Sequence, residues 1–202
     1  MVEKKKGAIS MNNLAYIDPP VTERIEGKTY LMSPRPRIDH TLVSANIYRI
    51  FGNYLEGKTC KAFPDGAEVH LDKDNVYVPD GMIVCDRSKI HRKGIYGAPD
   101  LIVEVLSPST MNHDRGPKMR HYAAAGVKEY WLVLPLEKSV EVYHGHDGTF
   151  ELDCVYTQVD AEDLADMDEK DRANIHTVIP VSLYDDLRVR VEDVFDDIDV
   201  AD

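Results

Sequence analysis

Glu104 is the residue that most needs a chemical explanation. It stands in DLIVEVL, residues 100–106, with aliphatic neighbours on both sides. A carboxylate inside a buried strand is costly unless a metal ion or a cationic partner compensates it. Alternation puts Leu101, Val103 and Val105 on one strand face and Ile102, Glu104 and Leu106 on the other. Glu104 thus has aliphatic company on its own face, which weighs against the alternative of a solvated edge strand. Asp80 offers a second carboxylate, directly after Pro79 and before the apolar run GMIVC. Alone, an Asp at a strand boundary reads as a turn or cap residue. Paired with Glu104, it could hold a hard cation such as Mg²⁺, which favours oxygen ligands and keeps several waters. An ion held this way supplies an activated water and stabilises charge on phosphate oxygens.

Such chemistry also needs a cation to position the attacking water and offset phosphate charge. Lys118 is the candidate, in the helical segment that follows the Glu104 strand, with Tyr122 on the same face four residues on. The bland alternative is an Asp114–Lys118 pair on a solvated helix, worth roughly 0.2–0.5 kcal/mol. Asp100 also follows a proline. Four residues at roughly 3.3 Å each separate it from Glu104, too far to share one ion, so it reads as a strand-start residue.

Several elements must position these groups. Residues 28–32, KTYLM, read as a first strand, and SPRPR after it as a turn or extended loop. HTLVSANIYRIFGNYL, residues 40–55, has helical spacing, with Asp39 as cap and Gly57 beyond its end. AEVHL, GMIVC, DLIVEVL and EYWLVL read as strands, the last three buried. NHDRGPKMRHYAAA, residues 112–125, reads as a helix with Pro117 in its first turn and Gly126 at its end. SVEVYHG and GTFELDCVYT form a hairpin. Residues 158–174 read as an acidic loop or short exposed helix, HTVIPV as a strand and VEDVF as a helical turn. This order implies an α/β fold bordering on α+β, with a sheet flanked by helices.

The 202 residues suffice for one domain with a real core. We expect a flexible N-terminal tail over 1–20, a single domain over 21–196 and an acidic tail over 197–202. MVEKKKGAIS has no apolar run behind it and does not read as a secretory signal, and no stretch is long and apolar enough for a membrane helix. Cys60, Cys85 and Cys154 are odd in number and widely spaced. They suggest reduced thiols, with Cys85 a buried small hydrophobe, and a cytoplasmic setting. The net charge of −12 disfavours a broadly basic nucleic-acid surface. RSKIHRK (87–93) and HDRGPKMRH (113–121) are local basic stretches that could line a site or simply face solvent.

VYVPDGMIVCD, APDLIVEVLSPST and HDRGPKMRHYAAAGVKEYWLVLP together resemble the Uma-two family of bacterial endonucleases, within the PD-(D/E)XK restriction-endonuclease-like superfamily. The resemblance spans roughly residues 25–155, with a weaker echo in LYDDLRVRVEDVF. It implies a restriction-endonuclease-like core with a mixed central β-sheet, and Mg²⁺-dependent phosphodiester hydrolysis, with Mn²⁺ as an alternative ion. Asp80 matches the Asp of the first half-motif and Glu104 the acid of the second. The superfamily expects Lys two residues after that acid, where this chain has Leu106. The resemblance moves the role to Lys118 and adds the backbone carbonyl of Val105 to the metal shell. Glu68 and His40 become auxiliary candidates, although Glu68 alone reads as an exposed strand residue and His40 as a cap or surface residue.

Two function classes stay open: a metal-dependent endonuclease acting on DNA, and a binding or scaffold module that keeps the fold without activity. A homodimer would suit a nuclease that cuts two strands. Paired carboxylates also serve glycoside hydrolysis, but the single Trp131 falls in a buried strand pattern and offers no sugar platform.

Overall fold

The structure, a computed structural model, describes residues 21–32 and 36–199. The expected N-terminal tail, the first part of SPRPR and the last three residues lie outside the described residues. The chain runs β1 (Thr22–Ile25), β2 (Lys28–Leu31), α1 (Ile38–Tyr54), β3 (Lys61–Pro64), β4 (Val69–His70), β5 (Val76–Tyr77), β6 (Gly81–Val84), β7 (Ile90–His91), β8 (Gly94–Tyr96) and β9 (Leu101–Val105). It continues with α2 (Met111–His113), a π turn (Asp114–Lys118), α3 (Met119–Ala125), β10 (Glu129–Leu134), β11 (Ser139–His146) and β12 (Thr149–Thr157). Then come α4 (Ala161–Asp166), α5 (Glu169–Ala173), β13 (Val178–Pro180), β14 (Arg188–Arg190) and α6 (Val191–Val194).

The main sheet has the order β12-β11-β10-β9-β6-β3, and a second has the order β2-β1-β5-β4-β8-β7. Both are mixed: β9 runs parallel to β10, and β4 parallel to β8. The expected α/β architecture with a mixed central sheet is therefore present. The central strand β9 is buried along its whole length, which explains its run of aliphatics.

Alternation on β9 sorts two cores. Leu101, Val103 and Val105 pack with Val43, Ile47 and Phe51 of α1 and with the C-terminal residues Val191, Val194 and Phe195. Ile102 and Leu106 face the other way and pack with Tyr77, Met82, Tyr122, Tyr130 and residues of the second sheet. The first core reaches Ile198, inside the segment that reads as an acidic tail.

Three sequence expectations are corrected. Cys60 and Cys85 form a disulfide, leaving Cys154 as a free cysteine. The pairing of Lys61 with Val84 brings the two cysteines together, which their separation in sequence concealed. The helix expected over 112–125 is interrupted: Gly116 has non-helical φ −112° and ψ −108°, because the residue before Pro117 is disfavoured in the α region. Finally, α1 starts at Ile38 with Arg37 as its N-cap, and Asp39 lies inside the first turn.

Candidate active site

Three strand ends define the site. Pro64 pairs with Gly81, and Gly81 with Val103. Asp65 directly follows β3 and Asp80 directly precedes β6, each one residue beyond these pairs, while Glu104 follows Val103 within β9. Glu104 lies on the strand face of Ile102 and Leu106, away from α1, whereas Asp80 sits at the strand end within reach of α1.

Asp80 is held from several sides. The Val105 backbone N–H donates to its Oδ2 at 2.6 Å, replacing a ladder bond with a side-chain one. His40 Nε2 lies 3.3 Å from its Oδ1. Ser44 Oγ, one turn along α1 from His40, donates to the Asp80 carbonyl at 2.8 Å. Burial would lower the His40 pKa, but the hydrogen bond and charge of Asp80, with Asp65 and Asp39, outweigh it and raise the value. Asp65 is solvent-exposed, yet loss of water on its inner side and then the Asp80 charge lift its carboxyl above the ordinary range.

Glu104 belongs to a buried charge cluster. Lys118 Nζ lies 2.8 Å from Glu104 Oε1, 3.0 Å from Glu23 Oε1 and 3.0 Å from Asp114 Oδ1. All four residues are buried. Asp114 Oδ1 has the Lys118 charge beside it but accepts no aligned hydrogen bond. Glu23 Oε1 also accepts from the Val78 N–H at 3.0 Å, and Tyr122 donates to Glu104 Oε1 at 3.3 Å. Asp114 and Lys118, four residues apart, both come inward across the kink at Gly116, and Tyr130 pins the segment by donating to the Asp114 carbonyl at 3.0 Å.

One ammonium cannot neutralise three carboxylates. Burial raises the Glu104 carboxyl well above its ordinary value; Lys118 opposes this, while Asp114, Asp80 and Glu23 reinforce it. Burial would lower the Lys118 pKa, but Glu104, Asp114 and Glu23 overcome it and hold the amine firmly protonated. Burial and then the charge of Glu104 push the Tyr122 phenol up as well.

The sequence candidates Asp80, Glu104, Lys118, Tyr122 and His40 thus converge. Val105 contributes its N–H to Asp80. Glu68 stands elsewhere in the contact pattern, with Oε2 3.0 Å from His70 Nε2. Asp100 accepts from the Cys85 N–H and from Lys128 at the start of β9, both at 2.8 Å. Sequence reasoning missed Glu23 and Asp65 and gave Asp114 no part in the site, pairing it with Lys118 only in the alternative of a solvated helix. Only the Asp114–Lys118 spacing carried any signal.

Among the described residues, no group of three or more His, Cys, Asp or Glu side chains forms a metal cage. Mg²⁺ does not require one, since it is commonly bound by one or two carboxylates with water and substrate oxygens completing its shell. The surplus of negative charge around Asp80 and Glu104 fits a hard divalent cation.

A family profile described as "Putative restriction endonuclease", Uma2, matches residues 16–168. An uncharacterized protein of Synechocystis sp. (strain ATCC 27184 / PCC 6803 / Kazusa) is 31% identical over 127 residues, 62% of this chain. The chain spans 66% of that relative's length. A crystal structure described as a putative nuclease belonging to DUF820, from Anabaena variabilis ATCC 29413, superposes with a TM-score of 0.65 at 23% identity. That match covers 87% of this chain and 90% of the other, and at this identity shows a shared fold. Among the described residues, no helix is long and apolar enough to cross a membrane.

Proposed function

The chain belongs to the Uma2 family, and we propose that it is a Mg²⁺-dependent endonuclease that hydrolyses phosphodiester bonds in DNA. The observation that carries this reading is the Asp80 carboxylate bonded to the N–H of Val105, the neighbour of Glu104, with Lys118 Nζ 2.8 Å from the glutamate. Asp80 and Glu104 would hold Mg²⁺, or Mn²⁺ in its place, with the Val105 carbonyl as a backbone ligand. When bound, such an ion lowers the pKa of a coordinated water and offsets charge on the phosphate.

The chain's own residues set up that arrangement. The Val105 N–H and His40 fix the orientation of the Asp80 carboxylate. Tyr122 and Lys118 fix Glu104. Lys118, held protonated, cannot act as a general base. It opposes the rise in the Glu104 carboxyl pKa and offsets negative charge among the three carboxylates. Residues 21–196 would act as one nuclease-like unit, in the cytoplasm, with a homodimer suited to cutting two strands.

A second reading, a catalytically silent binding or scaffold module, draws support from the net charge of −12. One experiment separates the two. The protein is incubated with single-stranded, double-stranded and branched DNA, with and without Mg²⁺ or Mn²⁺, beside Glu104→Ala. The endonuclease reading expects metal-dependent cleavage that Glu104→Ala loses by at least about 100-fold. Cleavage indifferent to both metal and Glu104 would sink the mechanism, and no cleavage of any substrate would favour the silent module.

A further inference from the structure

The acidic balance of the chain breaks down in one place. Residues 87–99 carry Arg87, Lys89, Arg92 and Lys93 and no carboxylate, in a protein of net charge −12. Arg92 and Lys93 form the two-residue turn of the β7–β8 hairpin, fixed by the pairs Ile90–Ile95 and His91–Gly94. Both are exposed. Among the described residues, neither makes an ion pair, whereas Arg115, Lys128, Lys138 and Arg190 all do.

The turn is rigidly mounted. β8 runs parallel to β4, and the Ile95 N–H donates to the Glu68 carbonyl at 2.8 Å. Gly94 permits this approach, since a Cβ there would stand 2.7 Å from the same carbonyl. The hairpin lines a groove of about 560 Å³ together with Phe63, Gly66 and Glu68. Gly66 directly follows Asp65, which, like Asp80, lies one residue beyond the Pro64–Gly81 pair. The groove therefore opens next to Asp65, at the edge of the candidate site.

We propose that this groove seats the phosphate backbone of DNA flanking the bond to be cut, with Arg92 and Lys93 as its phosphate contacts. The inference rests on the nuclease reading of the neighbouring carboxylates and adds the surface that reconciles an acidic chain with a polyanionic substrate. The carboxylates alone would repel DNA; an unpaired basic turn at the groove supplies local attraction and sets the direction of approach.

The test is binding without divalent metal, where no cleavage intervenes. Fluorescence anisotropy with a labelled duplex and a labelled single strand is followed from low to moderate KCl. The wild-type protein, Arg92→Ala/Lys93→Ala and a control pair on α5, Lys170→Ala/Arg172→Ala, are compared. Loss of two phosphate contacts should weaken binding at least tenfold near 0.1 M salt and flatten the log–log salt slope by about 1.8 for a duplex. The control pair should bind as the wild type does. Equal losses in both pairs, an unchanged slope in Arg92→Ala/Lys93→Ala, or preference for an acidic polypeptide such as polyglutamate over DNA would overturn the proposal. So would the absence of DNA binding by the wild type. Binding that depends on Arg92 and Lys93 in a protein that cuts no DNA would support the groove and remove the nuclease reading instead.

Discussion

The main sheet buries two glutamates, one on each face, and they are treated in opposite ways. Glu129 opens β10 on the face that packs against α1, and Glu104 lies near the end of neighbouring β9 on the other face. Glu129 is fully buried among neutral donors. Trp131 Nε1 donates to it at 2.6 Å, the Ser182 N–H at 2.7 Å, and the Ser182 hydroxyl also bonds to it. Its lone pairs are satisfied, and it ties the β13–β14 region to the sheet. Glu104 shares one lysine with two other carboxylates, and its neighbour Val105 is bonded to Asp80. A buried carboxylate is thus not itself a sign of chemistry. Unneutralised company is the better sign, because structural sites tend towards full satisfaction and functional ones keep perturbed groups together.

The largest effect expected from this contrast is at Lys118. Lys118→Ala removes the cation shared by three buried carboxylates, and breaking a buried pair in this way costs about 3–5 kcal/mol. Urea denaturation measures it. The sign with pH follows from Glu104, whose carboxyl titrates higher in the folded state than its ordinary 4.5. Such a group contributes stability below its unfolded pKa and loses it as pH rises through the folded value. Without Lys118 the loss deepens, so the deficit should be greatest at neutral and alkaline pH and should shrink towards acid. A deficit independent of pH would mean that Lys118 acts through packing alone.

Glu129→Ala should come next. It strands the Trp131 N–H in the interior, at about 1–3 kcal/mol for an unsatisfied buried donor, and releases the part-buried Ser182 N–H. The same variant should retain any divalent-metal binding. If it lost metal affinity while still folded, the division between the two faces would be wrong.

Much of this was legible in the sequence. The alternation of DLIVEVL places Glu104 on its observed face, and the Pro79–Asp80 boundary lies where the strand register needs it. Tyr122 and Lys118 follow from helical spacing, although a segment kinked at Gly116 rather than a continuous α-helix delivers the lysine. The rest depends on contacts that sequence separation conceals. Glu23 meets Val78 and Lys118 from a strand far away in the chain, inside TERI, which has no distinguishing pattern. Asp114 and Lys118 have the same spacing whether a helix is solvated or buried. The second sheet contains strands of only two residues, such as β4, β5 and β7, too short for period-2 alternation to register. The two glutamates in EYWLVL and DLIVEVL look alike because their partners, Ser182 and Lys118, lie in other segments.

The smallest expected effect sharpens the description of Glu104. Tyr122→Phe removes one hydrogen bond to the glutamate and should cost about 1 kcal/mol in thermal or urea unfolding. It should slow metal-dependent cleavage without abolishing it. Unchanged stability together with unchanged cleavage would show that the 3.3 Å contact does not orient the carboxylate.

The most direct measurement of the central claim is a calorimetric or paramagnetic titration of Mn²⁺ into the wild-type protein, Glu104→Gln and Glu129→Gln. If Asp80 and Glu104 hold the ion, the wild type and Glu129→Gln bind it alike, and Glu104→Gln loses the site. Wild-type Mn²⁺ affinity in Glu104→Gln would contradict the account.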